Sequence, residues 1–210
     1  MRDPSRLGRA IEAMVHSSRE CLEGVPISVK IRSGWDSASI NYFECARIAV
    51  EAGAAMVSLH SRTRAQGYSG KSNWSHIADL AARIPVPITG SGDLYTPEDA
   101  RRMLVETACA AVMFARGAMG NPFIFRTVKS FLIDEARAAD EIRTVPAATE
   151  RLGIALRHLE MLSEDLGEKR ACLEMRKQFC AYTKGISGGA ALREKIVKAE
   201  TIAEYREILL

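Results

Sequence analysis

Short apolar runs recur at a nearly constant spacing through the first part of the chain, and this regularity limits the possible folds most strongly. The runs begin near residues 27, 56, 86 and 111, and helical patterns separate them. A spacing of roughly 25–30 residues is typical of βα units, in which each strand is followed by a helix and runs parallel to the next. The sequence therefore predicts an α/β fold with a parallel sheet.

Each predicted strand is a nearly continuous apolar run, which is typical of strands that are covered on both faces. The predicted strands are 25–32, 55–60, 86–90 and 110–116, and the predicted helices are about 4–22, 37–53, 73–84 and 96–107. Asp3 and Thr96 are predicted N-caps, since each precedes a proline in a first helical turn. Four βα units fit an open doubly wound sheet or part of a (β/α)8 barrel. The absence of GxGxxG in the first unit weakens the dinucleotide-binding alternative.

The pattern changes after Phe125. A helical stretch covers about 122–137, and from Thr149 onward the sequence is helical with interruptions at 167–169 and 184–190. We therefore predict one domain over residues 1–137 and a helical domain over 147–210, joined by a linker near 138–147.

Composition excludes several classes of protein. The five cysteines form no CxxC pair, which argues against a zinc site or a secreted disulfide scaffold, and no metal site is predicted. No apolar stretch approaches the ~20 residues that span a bilayer, and the N-terminus lacks the apolar core of a signal peptide. The sequence predicts a cytoplasmic protein. The net charge of +3 is compatible with a polyanionic partner but does not require one.

Charged and glycine-rich segments follow the predicted strands, where parallel α/β folds bind their ligands. In chain order these segments contain Lys30 and Arg32, then His60 with Arg62 and Arg64, then GSGD at 90–93, then Arg116 with GAMGNP at 117–122. The last two segments predict a phosphate site, because glycine backbone N–H groups, a helix N-terminus near Pro122 and an arginine all favour an anion. The alternative is that Gly90, Gly92 and Gly117 only form tight βα turns.

Lys30 and His60 each have two interpretations. A lysine within a strand covered on both faces needs a partner, and an electron-rich cofactor edge would provide one. Alternatively, Lys30 extends from the strand end to water. His60 is either a ligand-binding group or a core histidine whose hydrogen bonds are satisfied within the protein.

Several motifs together resemble the tRNA-dihydrouridine synthases, most closely the bacterial DusB-like branch. The motifs are VKIRSGW, LHSRTRAQGYSGKSNW, GSGDL and ARGAMGNPFIF, followed by MRKQFCAYTKG and LREKI. They agree in order and spacing from about residue 3 to the C-terminus. The resemblance implies the C-terminal half of a TIM (β/α)8 barrel with about four βα units, followed by a small all-helical domain. It also implies an FMN enzyme that uses NADPH to reduce uridine in tRNA to 5,6-dihydrouridine.

The resemblance assigns cofactor contacts to four strand-end segments. Lys30 matches the lysine that contacts the flavin near its pyrimidine edge, and His60 matches a histidine that holds the ring or the phosphate side. The family's Asn-Gly-Asp turn falls on Ser91, Gly92 and Asp93, and its Gly-Arg pair near the phosphate falls on Ala115 and Arg116. Reduced FMN would pass a hydride to C6 of a uridine flipped out of the tRNA. Ser91, Ala115 and, in the helical part, Gln178 depart from the family's asparagine, glycine and histidine.

Six cations are candidates to bind the tRNA backbone. They are Arg62, Arg64, Arg176, Lys177, Lys184 and Arg193. For the last four, the alternative is that each is a solvated charge on a helix surface.

Four predicted strands are fewer than the eight of a complete barrel. By the resemblance, the chain begins at the helix after strand four, so the N-terminal flavin loops and the proton-donating cysteine are expected upstream. None of the five cysteines is expected to replace it, and no catalytic residue is assigned. The leading hypothesis is that the chain is the C-terminal portion of an FMN-dependent tRNA-dihydrouridine synthase. It would then come from a truncated or mis-started reading frame or from one piece of a split gene. The alternatives are a non-catalytic tRNA-binding remnant and a phosphate-binding barrel enzyme without flavin. The sequence leaves the oligomeric state open.

Overall fold

A four-stranded parallel sheet organises the first part of the chain. The structure, a computed structural model, describes residues 2–21, 23–133 and 146–209. The strands are β1 (Ser28–Arg32), β2 (Met56–His60), β3 (Ile88–Ser91) and β4 (Ala111–Met113), and they pair in the order β1-β2-β3-β4. The predicted parallel arrangement is confirmed. The strands pair in chain order, whereas a doubly wound sheet reverses its order at a switch point.

Helices separate the strands, and further helices follow β4. Those of the first part are α1 (Pro4–Cys21), α2 (Tyr42–Glu51), α3 (Ser75–Arg83) and α4 (Pro97–Thr107). After a short 3-10 helix (Arg116–Ala118) come α5 (Ile124–Ile133), α6 (Ala148–Leu166), α7 (Glu168–Tyr182), α8 (Gly189–Ile196) and α9 (Ile202–Leu209). None of the described helices combines the length and the apolar character that crossing a bilayer requires.

The chain divides into two compact units, Met1–Arg116 and Gly117–Leu210. The predicted linker near 138–147 and the end of the predicted helix 122–137 lie largely outside the described residues. The domain limits 1–137 and 147–210 therefore stay a prediction.

Two helix starts follow the predicted capping pattern. The Asp3 carboxylate accepts a hydrogen bond from the backbone N–H of Arg6 at 2.9 Å, with Pro4 in the first turn. At α4, the Thr96 side chain accepts from the Asp99 backbone while the Asp99 carboxylate accepts from the Thr96 backbone, which forms a capping box. Both predicted N-caps are confirmed.

Helix α2 begins five residues later than predicted, at Tyr42 rather than residue 37. The Asp36 carboxylate accepts hydrogen bonds from the Ala38 backbone and the Ser39 hydroxyl, at 3.1 and 2.7 Å. Such local side-chain bonds stabilise a turn in competition with a helix. The apolar periodicity of 37–53 did not reveal this competition.

The helix-facing side of the sheet is the core of the first unit. Val57, Leu59 and Ile88 pack there with residues of α3 and α4 such as Leu80 and Met103, all buried. The expectation that every strand is covered on both faces is correct for β2 and β3. It is wrong for β1 and β4, because these strands lie at the edges of the described sheet. Lys30 is thus exposed on β1 rather than enclosed in the sheet.

The second unit has its own core, built from α6 to α9. The rings of Phe179 and Tyr205 stack with their centroids 4.9 Å apart, and both residues are fully buried. The Tyr205 hydroxyl donates to the Cys172 carbonyl at 3.0 Å, so the buried phenol keeps a hydrogen bond.

Candidate functional site: a cationic cleft at the carboxyl ends of the strands

Strand register brings the predicted strand-end residues to one edge of the sheet. Arg32 pairs with His60, and His60 pairs with Ser91. Lys30 lies two residues before Arg32 and therefore on the same face of the sheet, because side chains alternate along a strand. These side chains share one face and one end of the sheet.

An open cleft of about 140 Å³ lies at this edge. All seven residues predicted to bind the cofactor line it, and their role as ligand contacts stays a prediction. The lining residues are Lys30, Arg32, His60, Tyr68, Ser91, Gly92, Asp93, Leu94, Tyr95, Met113, Ala115 and Arg116.

His60 lines this cleft and has a buried ring nitrogen without a partner among the described residues. The residue is only 8% exposed, and its Nε2 atom has no hydrogen-bond partner within the described residues. Burial, reinforced by the positive charges of Arg32, Lys30 and Arg62, lowers the pKa of His60 to about 4. The imidazole is therefore neutral near pH 7. Buried polar atoms in proteins nearly always have a partner, so this nitrogen is available to a ligand.

Lys30 lies beside Arg32 on the same face. Partial burial, together with the positive charge of Arg32, lowers the pKa of its ammonium group. Two neighbouring cations without a carboxylate between them favour the binding of an anion.

Among the described residues that line the cleft, Asp93 is the one carboxylate, and protein donors already bind both of its oxygens. Its Oδ2 atom accepts from Arg62 Nη2 and from the Ser72 backbone N–H, both at 2.8 Å, and its Oδ1 atom accepts from Arg116 Nη2 at 3.2 Å. Partial burial opposes ionisation, but the Ser72 hydrogen bond and the Arg62 guanidinium outweigh it and hold the pKa of Asp93 below its usual value. The carboxylate is ionised near pH 7.

Arg62 is buried at the end of β2. It is 2% exposed, and its guanidinium donates to the Ser69 and Gly70 carbonyls as well as to Asp93. This enclosure argues against contact with a tRNA backbone, and the predicted contact of Arg62 stays a prediction. Arg64, two residues later, is exposed and stays a candidate.

The glycines near the site have different functions. A Cβ on Gly90 would lie 2.5 Å from Met103 Sδ, so this glycine allows α4 to pack on the sheet. This packing accounts for the glycine at position 90, and its predicted backbone contact with an anion stays a prediction. Gly92, with φ of 122°, lines the cleft, and a Cβ there would meet the Ser72 side chain and the His60 ring. Gly117 belongs to the second unit.

Two aromatic residues of the cleft were not predicted. The Arg116 guanidinium lies 4.4 Å from the centre of the Tyr68 ring and 5.4 Å from that of Tyr95. Both tyrosines are exposed, at 61% and 44%. Each tyrosine lies in a glycine-containing loop that follows a strand, and this position was the available signal in the sequence. Hydrophobic periodicity does not detect such a signal.

The candidate cations of the second unit differ in exposure. Lys177 and Lys184 are exposed. Arg176 and Arg193 are half-buried and donate to backbone carbonyls, Arg176 to Ala199 at 3.2 Å and Arg193 to Thr183 at 3.4 Å. Contact of any of these four with tRNA stays a prediction.

Cysteines take no part in the described cleft. Cys21 and Cys180 are exposed, and the other three are buried. None of the five is among the described residues that line it.

Comparison with known proteins gives a consistent result. The family model described as "Dihydrouridine synthase (Dus)" matches residues 1–210. A "Probable tRNA-dihydrouridine synthase" of Treponema pallidum (strain Nichols) is 43% identical over an alignment of 212 residues that covers 99% of this chain and 61% of that protein. A "Probable tRNA-dihydrouridine synthase 1" of Synechocystis sp. is 38% identical over 185 residues, 88% of this chain and 50% of that protein.

A third relative is the "tRNA-dihydrouridine synthase B" of Xanthomonas axonopodis pv. citri. It is 34% identical over 201 residues, which are 96% of this chain and 58% of that protein. The chain thus spans about half to three fifths of the length of these curated relatives. Because the family model matches along the whole chain, the chain belongs to the dihydrouridine synthase (Dus) family.

Proposed function

We propose that this chain contributes to an enzyme that reduces uridine in tRNA to 5,6-dihydrouridine, with FMN as cofactor and NADPH as reductant. Family membership and the printed names of three relatives support the reaction. The proposed substrate also suggests a cytoplasmic location.

The same proposal extends to the fold. The four consecutive parallel strands form the C-terminal half of a (β/α)8 barrel, and residues 147–210 form a helical domain that binds tRNA. Pairing in chain order supports a barrel, because successive strands of a barrel are neighbours.

The observation that carries the proposal is the buried Nε2 atom of His60, which lacks a partner among the described residues and belongs to a cleft lined by cations. Lys30, Arg32 and Arg116 line this cleft, and Asp93 is the single carboxylate among its described lining residues. A flavin mononucleotide fits this donor set, since it has both an anionic phosphate and a ring with hydrogen-bond acceptors.

The volume of the cleft indicates how much of the cofactor these residues hold. Pockets that enclose a ligand of drug size usually measure about 300–1,000 Å³. The cleft measures about 140 Å³, which suits a phosphate or part of a ring system. These residues therefore contribute one side of the cofactor site.

The proposal assigns a role to several of the lining residues. When bound, FMN supplies the hydride that reduces the uracil ring. The Lys30 ammonium stabilises negative charge at the pyrimidine edge of the flavin, an effect that is strong where water is excluded. His60 Nε2 bonds to the cofactor, and Arg116 with the backbone at Gly92 holds the phosphate. The Ser91 hydroxyl takes the place of the family's asparagine amide.

Exposed cations supply the proposed contacts to tRNA. Arg64 lies in the loop after β2, and Lys177 and Lys184 lie on the second unit. Lysine and arginine bind phosphates mainly through charge, and such contacts hold and orient the nucleic acid. The target uridine must leave its base stack to reach a flavin.

The test is complementation with the protein that contains these residues. It is expressed in cells lacking all dihydrouridine synthases, and dihydrouridine in tRNA is measured by mass spectrometry. We expect dihydrouridine to return, and we expect Lys30→Ala to reduce it by about tenfold or more. The control is Lys71→Ala. Lys71 is the other lysine within residues 1–116, it is exposed, and it is not among the described residues that line the cleft.

The purified protein separates the alternatives. A yellow protein with bound flavin and restored dihydrouridine supports the proposal. A colourless protein that still binds tRNA supports the non-catalytic alternative. Loss of dihydrouridine with Lys71→Ala but not with Lys30→Ala would overturn the assigned role of Lys30.

A further inference from the structure

Asp93 connects three parts of the cleft that are distant in sequence. Its two carboxylate oxygens receive Arg62 from the end of β2, the Ser72 backbone from the following loop, and Arg116 from beyond β4. Asp93 itself has a φ of 56°, in the left-handed region. Aspartate tolerates this region better than most residues, but the conformation still has an energetic cost, so the surrounding contacts must maintain it.

The loop between β2 and α3 is held by two arginines. Arg62 donates to the Ser69 carbonyl at 3.3 Å and to the Gly70 carbonyl at 2.6 Å. Arg32 donates to the Thr63 and Gly67 carbonyls at 2.9 and 3.3 Å. Tyr68 lies between these anchored carbonyls, so the position of its exposed ring depends on the guanidinium groups behind it.

The contacts form a closed circuit. Asp93 binds Arg62, Arg62 anchors the residues beside Tyr68, the Tyr68 ring lies against Arg116, and Arg116 returns to Asp93. The Arg116 side chain is 36% exposed, so its contacts with Asp93 and Tyr68 limit where the guanidinium points. A change at Asp93 therefore reaches the lining of the cleft through both arginines.

We propose that Asp93 is a positioning residue. Through its contacts with Arg62 and Arg116, it fixes at the cleft both Arg116 and the loop between β2 and α3 that carries Tyr68. Three protein donors already bind its two oxygens, so we assign Asp93 the role of holding these donors rather than of binding the cofactor. This inference rests on the proposed function, since FMN is the ligand whose binding reports it.

The geometry requires a carboxylate at this position. Asparagine has a single carbonyl oxygen, so it cannot accept on both sides, and its amide group would face an N–H donor. Glutamate keeps the charge but moves it by one methylene. Asn and Glu variants therefore separate the effect of charge from the effect of position.

The first experiment is a double-mutant cycle on the affinity of the protein for FMN. Asp93→Asn is made in the native protein and in an Arg116→Met background. We expect about tenfold weaker binding in the native background and a smaller loss in the Arg116→Met background, because the part of the effect that passes through Arg116 disappears when Arg116 is absent. Asp93→Glu is also expected to weaken binding.

Electrostatics alone predicts the opposite sign for Asp93→Asn, because removing a negative charge beside an anion tightens its binding. Tighter binding of the Asn variant would therefore overturn the inference. Equal losses in both backgrounds would overturn the proposed action on Arg116, since they would show that Asp93 acts on binding independently of that residue.

The second experiment needs no ligand. Amide hydrogen exchange is measured over residues 63–72 in the native protein and in the variants Asp93→Asn and Asp93→Glu. The control is Glu106→Gln, because Glu106 forms an exposed ion pair with Arg102. We expect exchange at least tenfold faster in both Asp93 variants and unchanged in the control. Unchanged exchange in the Asp93 variants would overturn the inference even if FMN binds. A native protein that does not bind FMN but shows the exchange effect would overturn the proposed function and leave the positioning role supported.

Discussion

The cationic side chains of the two units differ in their burial and in their ion pairing. In the first unit, Arg62 is 2% exposed and neutralised by Asp93. In the second unit, Lys177 and Lys184 are exposed, and no ion pair within the described residues includes them. The comparison teaches that burial, rather than residue type, decides whether a cation is free to meet a polyanion. Each prediction below alters one side of this comparison.

The largest effect is expected from removing the buried cation. Arg62→Met takes away the guanidinium that pairs with Asp93 and holds the Ser69 and Gly70 carbonyls. Breaking a buried pair from one side typically lowers the free energy of unfolding by about 3–5 kcal/mol. Because Asp93 keeps Arg116 as a partner, we expect about 3 kcal/mol, measured from urea unfolding followed by circular dichroism.

Arg47→Met is the matched control for Arg62→Met. Arg47 pairs with Glu51 on the surface of α2, where the two side chains are 52% and 59% exposed. Exposed pairs contribute little, so we expect a change of less than about 0.5 kcal/mol. Equal destabilisation by the two variants would remove the distinction between buried and exposed cations.

The next effect concerns His60 and pH. In the unfolded chain this histidine takes up a proton near the ordinary histidine pKa of 6.5, whereas in the folded protein its pKa is about 4. The unfolded state therefore binds more protons between these values, and stability falls as the pH decreases from about 6.5 to 4. We expect a loss of roughly 2 kcal/mol across this window, after an allowance for solvent screening, measured as the free energy of unfolding at several pH values.

His60→Gln isolates this contribution, because glutamine does not titrate. The difference in stability between the two proteins is expected to change between pH 6.5 and 4 and to stay constant above about pH 7. Parallel curves across the whole range would contradict a depressed pKa for His60. They would also show that the nearby cations have no electrostatic effect on the histidine.

The sequence predicted the parallel sheet and the location of the cleft, for a clear physical reason. The strand spacing and the apolar character of the strands are local properties, and parallel strands necessarily bring their carboxyl ends to one edge. Once the strands were placed, Lys30, His60 and Ser91 had to lie near one another. Their register confirms this arrangement.

The features that the sequence could not reveal depend on contacts between distant segments. Arg62 appeared to be one more cation in an exposed loop, but its partner Asp93 lies 31 residues away. Gly90 suggested an anion site, yet it is required by a methionine on α4. The position of the Tyr68 ring depends on Arg116, which follows a different strand. Side-chain partners of this kind become visible only after the chain has folded.

The smallest effect on stability is expected from the double substitution Lys177→Gln and Lys184→Gln. This substitution also tests whether the exposed cations of the second unit contact tRNA. Because both residues are exposed, we expect the free energy of unfolding to change by less than about 0.5 kcal/mol. If both side chains contact tRNA phosphates, the slope of log affinity against log salt concentration should decrease by roughly 0.7–0.9 for each lost contact. Filter binding with a tRNA transcript at several salt concentrations measures this slope.

Lys198→Gln provides the control for this substitution, because Lys198 is also exposed on the second unit but has Glu194 at 3.6 Å. A lysine beside a carboxylate attracts phosphate less strongly, so the slope should stay near that of the native protein. An equal decrease in the control would mean that overall charge, rather than two specific contacts, determines tRNA binding. A constant slope in the double variant would show that exposure alone does not make a cation part of the tRNA surface, and the contrast between the two units would then concern stability only.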